Sequence, residues 1–318
     1  MVKLLKRVVR RLRLEPTHRR GRPLVYAWPV MLACFVVMVN YRLTGFRSLQ
    51  RFLQNHPMMA EACGLPQGNV PSDRTFSRRF ARLDGILLDA TAQLLRRLTS
   101  RNVLRWALTV IDGTALVAKG RRPKGKTPDT RTTDKEAAWG FSTTKDWFWG
   151  YKLHVLVAVQ RVIVPIAWVV TLANRQEVTQ LLRVVRQALT FAGTQRRIRD
   201  VDGDTGYDST AHYHALAQWK IRLTTPINPR RGGRLNPLQR KRKRYLRTPR
   251  GRWLMKRRAD VERFFSQPKG IFLFDPLPIT GRTQATTYVS LVLVSYLIGV
   301  AYNGLAHRPL RALKSLVA

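Results

Sequence analysis

Residues 151 to 172 read Tyr151-Lys152-Leu153-His154-Val155-Leu156-Val157-Ala158-Val159-Gln160-Arg161-Val162-Ile163-Val164-Pro165-Ile166-Ala167-Trp168-Val169-Val170-Thr171-Leu172. Two runs rich in β-branched and aromatic side chains, Tyr151 to Val159 and Val162 to Leu172, are parted only by Gln160-Arg161, which predicts an antiparallel hairpin. Pro165 has no N–H to give to a ladder, so it belongs at an edge or a bulge of the second strand. Upstream, the short apolar run Ala107 to Ile111 ends at Asp112 and predicts a strand, while the polar, Gly- and Thr-rich stretch Lys119 to Lys145 predicts a loop. Downstream, helix and strand patterns alternate. Val178 to Phe191 has helical spacing with Gly193 as its stop, Ile198 to Val201 is a strand leading to Asp204, and Asp208 or Ser209 caps a helix to about Trp219. Ile221 to Thr225 is a further strand, and Trp253 to Ser266 and Gln284 to Asn303 are helices.

Three antiparallel strands followed by strand–helix units predict an α/β (α+β) chain, a mixed sheet with helices packed on its faces. The order resembles the ribonuclease H-like fold. The first hundred residues read as helical: Phe46 to Gln54 and His56 to Cys63 are amphipathic, and Ser72 or Asp73 caps a helix running to about Leu98. Arg74, Arg78, Arg79 and Arg82 in its first turns fit a helix-turn-helix, and they fit a helical bundle with a polar face equally well.

The chain has 318 residues, and its 45% apolar content is enough to fill a core, which excludes a disordered chain. Its 58 Lys and Arg against 18 Asp and Glu leave a formal charge of +40, so a polyanion is the expected partner. From Arg230 to Arg258 there are 14 basic residues and no acid, in a stretch that reads as a solvated, mobile arm suited to phosphates. An anionic membrane would also satisfy the charge. However, the apolar stretches Leu24 to Val39, broken by Pro29, and Tyr288 to Ala301 fall short of a span of about 20 residues, so both are expected to be buried core helices. Met1 to Leu14 is basic and amphipathic but lacks the Ser-rich continuation of a transit peptide. Cys34 and Cys63 are too few for a disulfide framework or a zinc site, which points to a reducing cytoplasm, and His154, His212 and His214 lack partners at zinc-ligand spacing.

Because acids are scarce, the ones that end apolar strands stand out. Asp112 and Asp204 are both placed so, although a turn or a cap explains either one alone. Glu262 lies on a helix; a surface pair with Arg258 four residues earlier would explain it too. Two carboxylates from strands and one from a helix suffice to hold hard divalent ions for phosphodiester chemistry.

Five segments occur in one order: Val110-Ile111-Asp112-Gly113-Thr114, Gly150-Tyr151-Lys152-Leu153-His154, Ala173-Asn174-Arg175-Gln176-Glu177, Asp204-Thr205-Gly206-Tyr207-Asp208-Ser209 and Val261-Glu262-Arg263-Phe264-Phe265. Together they resemble bacterial insertion-sequence DDE transposases of the IS-four/IS-five-like group. Pro71-Ser72-Asp73-Arg74-Thr75-Phe76 resembles that group's N-terminal domain. The resemblance implies Asp112, Asp204 and Glu262 as catalytic metal ligands for Mg2+ or Mn2+. Asp200 and Asp202 are rivals of Asp204, and strand alternation points Asp202 and Asp204 the same way. Arg258 and Lys269 match the Arg and Lys of the group's Tyr-Arg-Glu-Lys signature, and Met255 stands at its Tyr position.

The expected organisation is a helical DNA-binding region over 1–100, a DDE catalytic domain over 101–275 with a basic arm at 226–252, and a helical region over 276–318. The expected partners are double-stranded DNA, as transposon ends and target, and a second copy of the chain assembled on it, with no membrane. Arg258, Lys269, Lys152, Arg74, Arg78, Lys241, Arg242 and Lys243 are the expected DNA contacts. Pro268 predicts that the helix bearing Glu262 kinks or ends near Phe265, with Lys269 delivered from a new turn. The competing reading is a non-catalytic basic nucleic-acid-binding protein whose acids are structural.

Overall fold

A computed structural model of the chain describes residues 1–14, 25–66, 69–193, 198–228 and 235–316. Among the described residues, six α-helices come first: α1 (Val2–Arg7), α2 (Trp28–Asn40), α3 (Phe46–Asn55), α4 (Pro57–Cys63), α5 (Asp73–Phe80) and α6 (Asp84–Ser100). Strands β1 (Leu108–Val117), β2 (Ala138–Ser142), β3 (Asp146–Ala158) and β4 (Val164–Leu172) follow. Then come α7 (Leu181–Ala192), β5 (Asp200–Asp202), α8 (Thr210–Gln218), β6 (Arg222–Thr224), α9 (Pro237–Leu246), α10 (Pro249–Arg257), α11 (Ala259–Ile271) and α12 (Arg282–Leu305). Two compact units result. One joins Met1–Arg101, Leu116–Ala137 and Gln267–Ala318; the other joins Asn102–Ala115 and Ala138–Ser266.

In the helical unit, α2 is buried along nearly its whole length, with Pro29 in its first turn, where a missing N–H costs nothing. α12 packs against α6 and α2. Its 24 residues are long and apolar enough to cross a membrane, yet 89% of its most apolar window is buried inside the protein. The single helix expected from Ser72 or Asp73 to Leu98 is two. Ser72 caps α5 by accepting the Thr75 N–H at 3.3 Å, and the chain turns before α6 begins at Asp84. The turn lets two apolar stripes meet different partners: Phe76 and Phe80 pack edge-on to Phe35, with centroids at 5.9 and 5.5 Å, while α6 packs on α12.

The other unit holds the sheet, a six-stranded mixed one in the order β2-β3-β1-β5-β6 with β4 also on β3. The hairpin β3–β4 is antiparallel, with its register shift at Leu156/Val157 where Val157 pairs with Pro165, so the proline sits at a bulge. β5 is parallel to both β1 and β6. Antiparallel strands continued by parallel ones with helices on the faces make the ribonuclease H-like arrangement expected from the sequence. Two details differ. The stretch expected to be loop contains β2, which pairs antiparallel with the first half of β3 from Ala138↔Gly150 to Ser142↔Asp146. β1 also does not end at Asp112 but continues to Val117, with Ala115 and Leu116 buried.

β2 lies tight against the end of β4. A Cβ on Gly140 would stand 2.6 Å from both the Cβ and the carbonyl oxygen of Ala173, so only glycine fits there. The basic segment is also more ordered than its composition suggests. Asn236 and Gln239 form a capping box for α9, with N–H to side-chain bonds of 2.8 and 3.1 Å, and Thr248 caps α10 through the Gly251 N–H at 3.1 Å. Pro237 and Pro249 occupy first-turn positions. The part of the arm expected to be solvated loop and falling within the described residues is therefore helical, while Arg230, Arg231 and Arg234 lie outside them.

Candidate metal centre and basic arm

The parallel register of β1 and β5 brings two acids together. Val110 pairs with Asp202, and Asp112 and Asp204 each lie two residues further, on adjacent chains that run about 4.8 Å apart. Both are pinned locally. The Asp112 Oδ1 accepts the Gly113 N–H at 2.8 Å, and the Asp204 Oδ1 accepts the Gly206 N–H at 2.8 Å as the cap of a 3-10 turn over Thr205–Tyr207. A third carboxylate, Glu177, comes from the segment after β4. It approaches the backbone of Gly113 so closely that a Cβ there would stand 3.1 Å from its carboxyl carbon.

One oxygen from each of Asp112, Glu177 and Asp204 lies within 4.8 Å of the others, the one such cluster of potential metal ligands among the described residues. Burial raises the Asp112 carboxyl to about 7; the Gly113 N–H opposes this, Glu177 and Asp204 add to it, and Arg258 opposes it. The Lys152 Nζ stands 3.5 Å from Glu177. Tyr207 is fully buried with no partner for its hydroxyl, and burial, then the charges of Glu177, Asp112 and Asp204, push its pKa well up. Three hard oxygen donors crowded into a partly buried space repel one another, and a divalent cation is the species that relieves this. The donor set fits such a metal.

The cluster holds Asp204 and not its rival Asp202. Asp202 is fully buried within the ladder, and burial, then the charge of Asp200, raise it to about 8 against the opposing effects of Arg250, Thr224 and Arg222. Asp200 is paired with Arg250 at 3.0 Å and Arg222 at 3.6 Å. Glu262 is exposed on α11 and outside the cluster, four residues beyond Arg258, whose charge acts on Asp112. Glu177 ends the Ala173-Asn174-Arg175-Gln176-Glu177 segment, and the resemblance implies no role for it. The scarcity of acids, 18 in the chain, was the signal that should have singled it out.

The expected cations divide into two groups. Arg74 and Arg78 on α5 and Lys241 and Lys243 on α9 are exposed. Arg242 is turned inward: its side chain is 12% exposed, it pairs with Asp208 at 2.7 Å, and it stacks over Tyr213. Lys152 is also turned inward, to Glu177. The helix does not end near Phe265. α11 runs through Pro268 to Ile271, so Lys269 stays in the helix that carries Glu262, 4.0 Å from Asp275. Burial of Val261, Phe264, Phe265, Pro268 and Ile271 along one side outweighs the hydrogen bond the proline cannot make. The break falls earlier, at Arg258 between α10 and α11, so Met255 belongs to a different helix from Glu262. The Nε2 of His154 bonds Thr171 at 2.9 Å in the sheet interior, and neither His212 nor His214 belongs to the metal-capable cluster.

The sequence profile of a family described as "Transposase DDE domain" matches residues 107–298. No curated protein matches the chain. Among solved structures, the chain is similar to one described as the cryo-EM structure of a piggyBac transposase synaptic complex with hairpin DNA. The identity is 10% and the TM-score 0.48, over 99% of this chain and 77% of that one.

Proposed function

Because the chain belongs to the family of transposase DDE domains, we propose that it is the transposase of an insertion sequence of the IS-four/IS-five-like group, with Met255 at the signature's Tyr position. In this reading it binds the element's terminal repeats, hydrolyses a strand to free a 3′ hydroxyl, and joins that hydroxyl to target DNA. The observation that carries the proposal is the convergence of Asp112, Glu177 and Asp204 within 4.8 Å. Asp112 and Asp204 hold Mg2+ or Mn2+, and Glu177 is a further ligand. When bound, the metal supplies the positive charge that activates the attacking hydroxyl and stabilises the leaving oxygen.

Glu262 is the third acid of the family pattern. It stands four residues beyond Arg258, and the charge of Arg258 acts on Asp112. Arg258 and Lys152 offset the negative charge of the acids, and Arg258, Lys241, Lys243, Arg74 and Arg78 contact DNA phosphates. Assembly on two element ends makes the working form a homodimer, in the cytoplasm and on the nucleoid. The test is to incubate the protein with DNA carrying the element's ends, with and without magnesium. Strand cleavage that requires the metal is expected. Tight DNA binding with no cleavage under any metal would move the chain to the class of non-catalytic basic binders.

A further inference from the structure

We infer that Arg242 is a positioning residue that ties the basic helix α9 to the turn carrying Asp204 and so helps to hold the shape of the metal centre; this rests on the metal-dependent cleavage proposed above. Of the five consecutive cations Arg240 to Arg244, four are exposed and one is not. At about 100° per residue, the neighbours of Arg242 point away from the face it presents to the protein. Its guanidinium lies over the Tyr213 ring at 3.4 Å and donates to Asp208 at 2.7 Å and to the hydroxyl and carbonyl of Thr225 at 2.9 and 3.2 Å.

Asp208 is the residue that closes the turn. Its side chain is 4% exposed, and its second oxygen accepts the Asn228 N–H at 2.7 Å. The Asn228 amide donates to the Thr205 carbonyl at 3.4 Å. Asp204 caps the same turn, and Tyr207 within it is buried beside the three carboxylates. Moving Arg242 out to a phosphate would leave Asp208 buried and unpaired, which is costly. Arg242 therefore acts inside the protein. Elsewhere α9 and α10 are fastened by Tyr245 to Arg222 at 2.8 Å and by Arg250 to Asp200 at 3.0 Å, and neither bond touches the Asp204 turn.

The test compares Arg242→Gln, Arg242→Lys and Asp208→Asn with Lys241→Gln and Lys243→Gln. The readouts are the salt dependence of DNA binding, hydrogen exchange at the Gly206, Tyr207 and Asp208 amides, and the Mn2+ concentration that gives half of the full thermal shift. Arg242→Gln should leave the salt slope as in the wild type, speed exchange in the turn, and raise the Mn2+ midpoint about tenfold, as loss of a ligand-orienting partner does. Arg242→Lys should restore part of both, and Asp208→Asn, which keeps an acceptor for Asn228, should resemble Arg242→Gln. Lys241→Gln and Lys243→Gln should each lower the salt slope by about 0.9 and leave exchange unchanged. A salt slope lowered by Arg242→Gln with exchange in the turn unaltered would make Arg242 a phosphate contact and overturn the inference. Faster exchange in a protein that shows no metal-dependent cleavage would keep the tether and sink the proposed function instead.

Discussion

Replacing His154 with glutamine should make the protein less sensitive to mild acid. His154 lies in β3 with no exposed surface; its Nε2 bonds the Thr171 hydroxyl at 2.9 Å, and its Nδ1 has no partner. Burial, helped by the charge of Lys152, lowers its pKa from 6.5 to about 4. A group whose folded-state pKa is depressed in this way stays neutral in the fold while the unfolded chain binds a proton. Its contribution is therefore fully present above pH 6.5 and drains away as pH falls toward 4. At about 1.36 kcal/mol per pH unit the loss amounts to about 2 kcal/mol between pH 7 and pH 5, and about 3 kcal/mol by pH 4. Glutamine has similar reach, can still bond Thr171, and does not titrate. Urea unfolding of both proteins at pH 7, 6 and 5, followed by hydrogen exchange of β3 amides so that the sheet unit is read by itself, measures the difference. The variant should be less stable than the wild type at pH 7 by about 1 kcal/mol and should lose that deficit, or reverse it, by pH 5. A gap between the two that stays constant across this range would refute the assignment, as would a His154 ring that titrates near 6.5.

Three other outcomes follow from the geometry. Asp112→Asn, Asp204→Asn and Glu177→Gln should each abolish the Mn2+-induced thermal shift and strand cleavage while DNA binding, measured by fluorescence anisotropy, stays within a few-fold; wild-type cleavage in Glu177→Gln with loss in Glu262→Gln would assign Glu262 and not Glu177 to the site. Replacing Arg240, Lys241, Lys243 and Arg244 together with glutamine should flatten the salt dependence of DNA binding by up to about 0.9 per lost phosphate contact, and an unchanged slope would mean that α9 does not touch DNA. Gly140→Val should destabilise the sheet by about 1 to 3 kcal/mol in denaturant titrations, because the new Cβ collides with Ala173; wild-type stability would show that β2 lifts off without cost.

Much of the fold was legible because it rests on local patterns. The β3–β4 hairpin, the bulge at Pro165, the helix ending at Gly193 and the short strands before Asp204 and Pro226 all follow from periodicity and from residues that start or stop elements. β2 was missed because its alternating Trp139, Gly140 and Phe141 sit in a polar stretch, and its pairing depends on a glycine fitting against Ala173. The α5–α6 break was missed for a similar reason: no breaker residue marks Ala81 to Leu83, and the turn exists so that Phe76 and Phe80 reach Phe35. The caps Asn236-Pro237 and Thr248-Pro249 were visible in the sequence, but the surrounding charge made the arm look like loop.

Sequence alone could single out Asp112 and Asp204, since both follow apolar runs and recur in an ordered set of motifs. It could equally fix the demand for a polyanion, because a charge of +40 survives any arrangement of the chain. It could not separate Asp204 from Asp202, because residues two apart in a strand share a face, and the difference is burial: one carboxylate opens onto Asp112 and Glu177 while the other is enclosed in the ladder. Nor could it tell Arg242 from its neighbours in an unbroken run of five cations. Only the folded chain, by closing Asp208, Thr225 and Tyr213 around one guanidinium, turns a residue that looks like a phosphate contact into an internal tie. Side-chain chemistry is written residue by residue, but burial and pairing belong to contacts between distant segments, and those exist once the sheet and helices have closed.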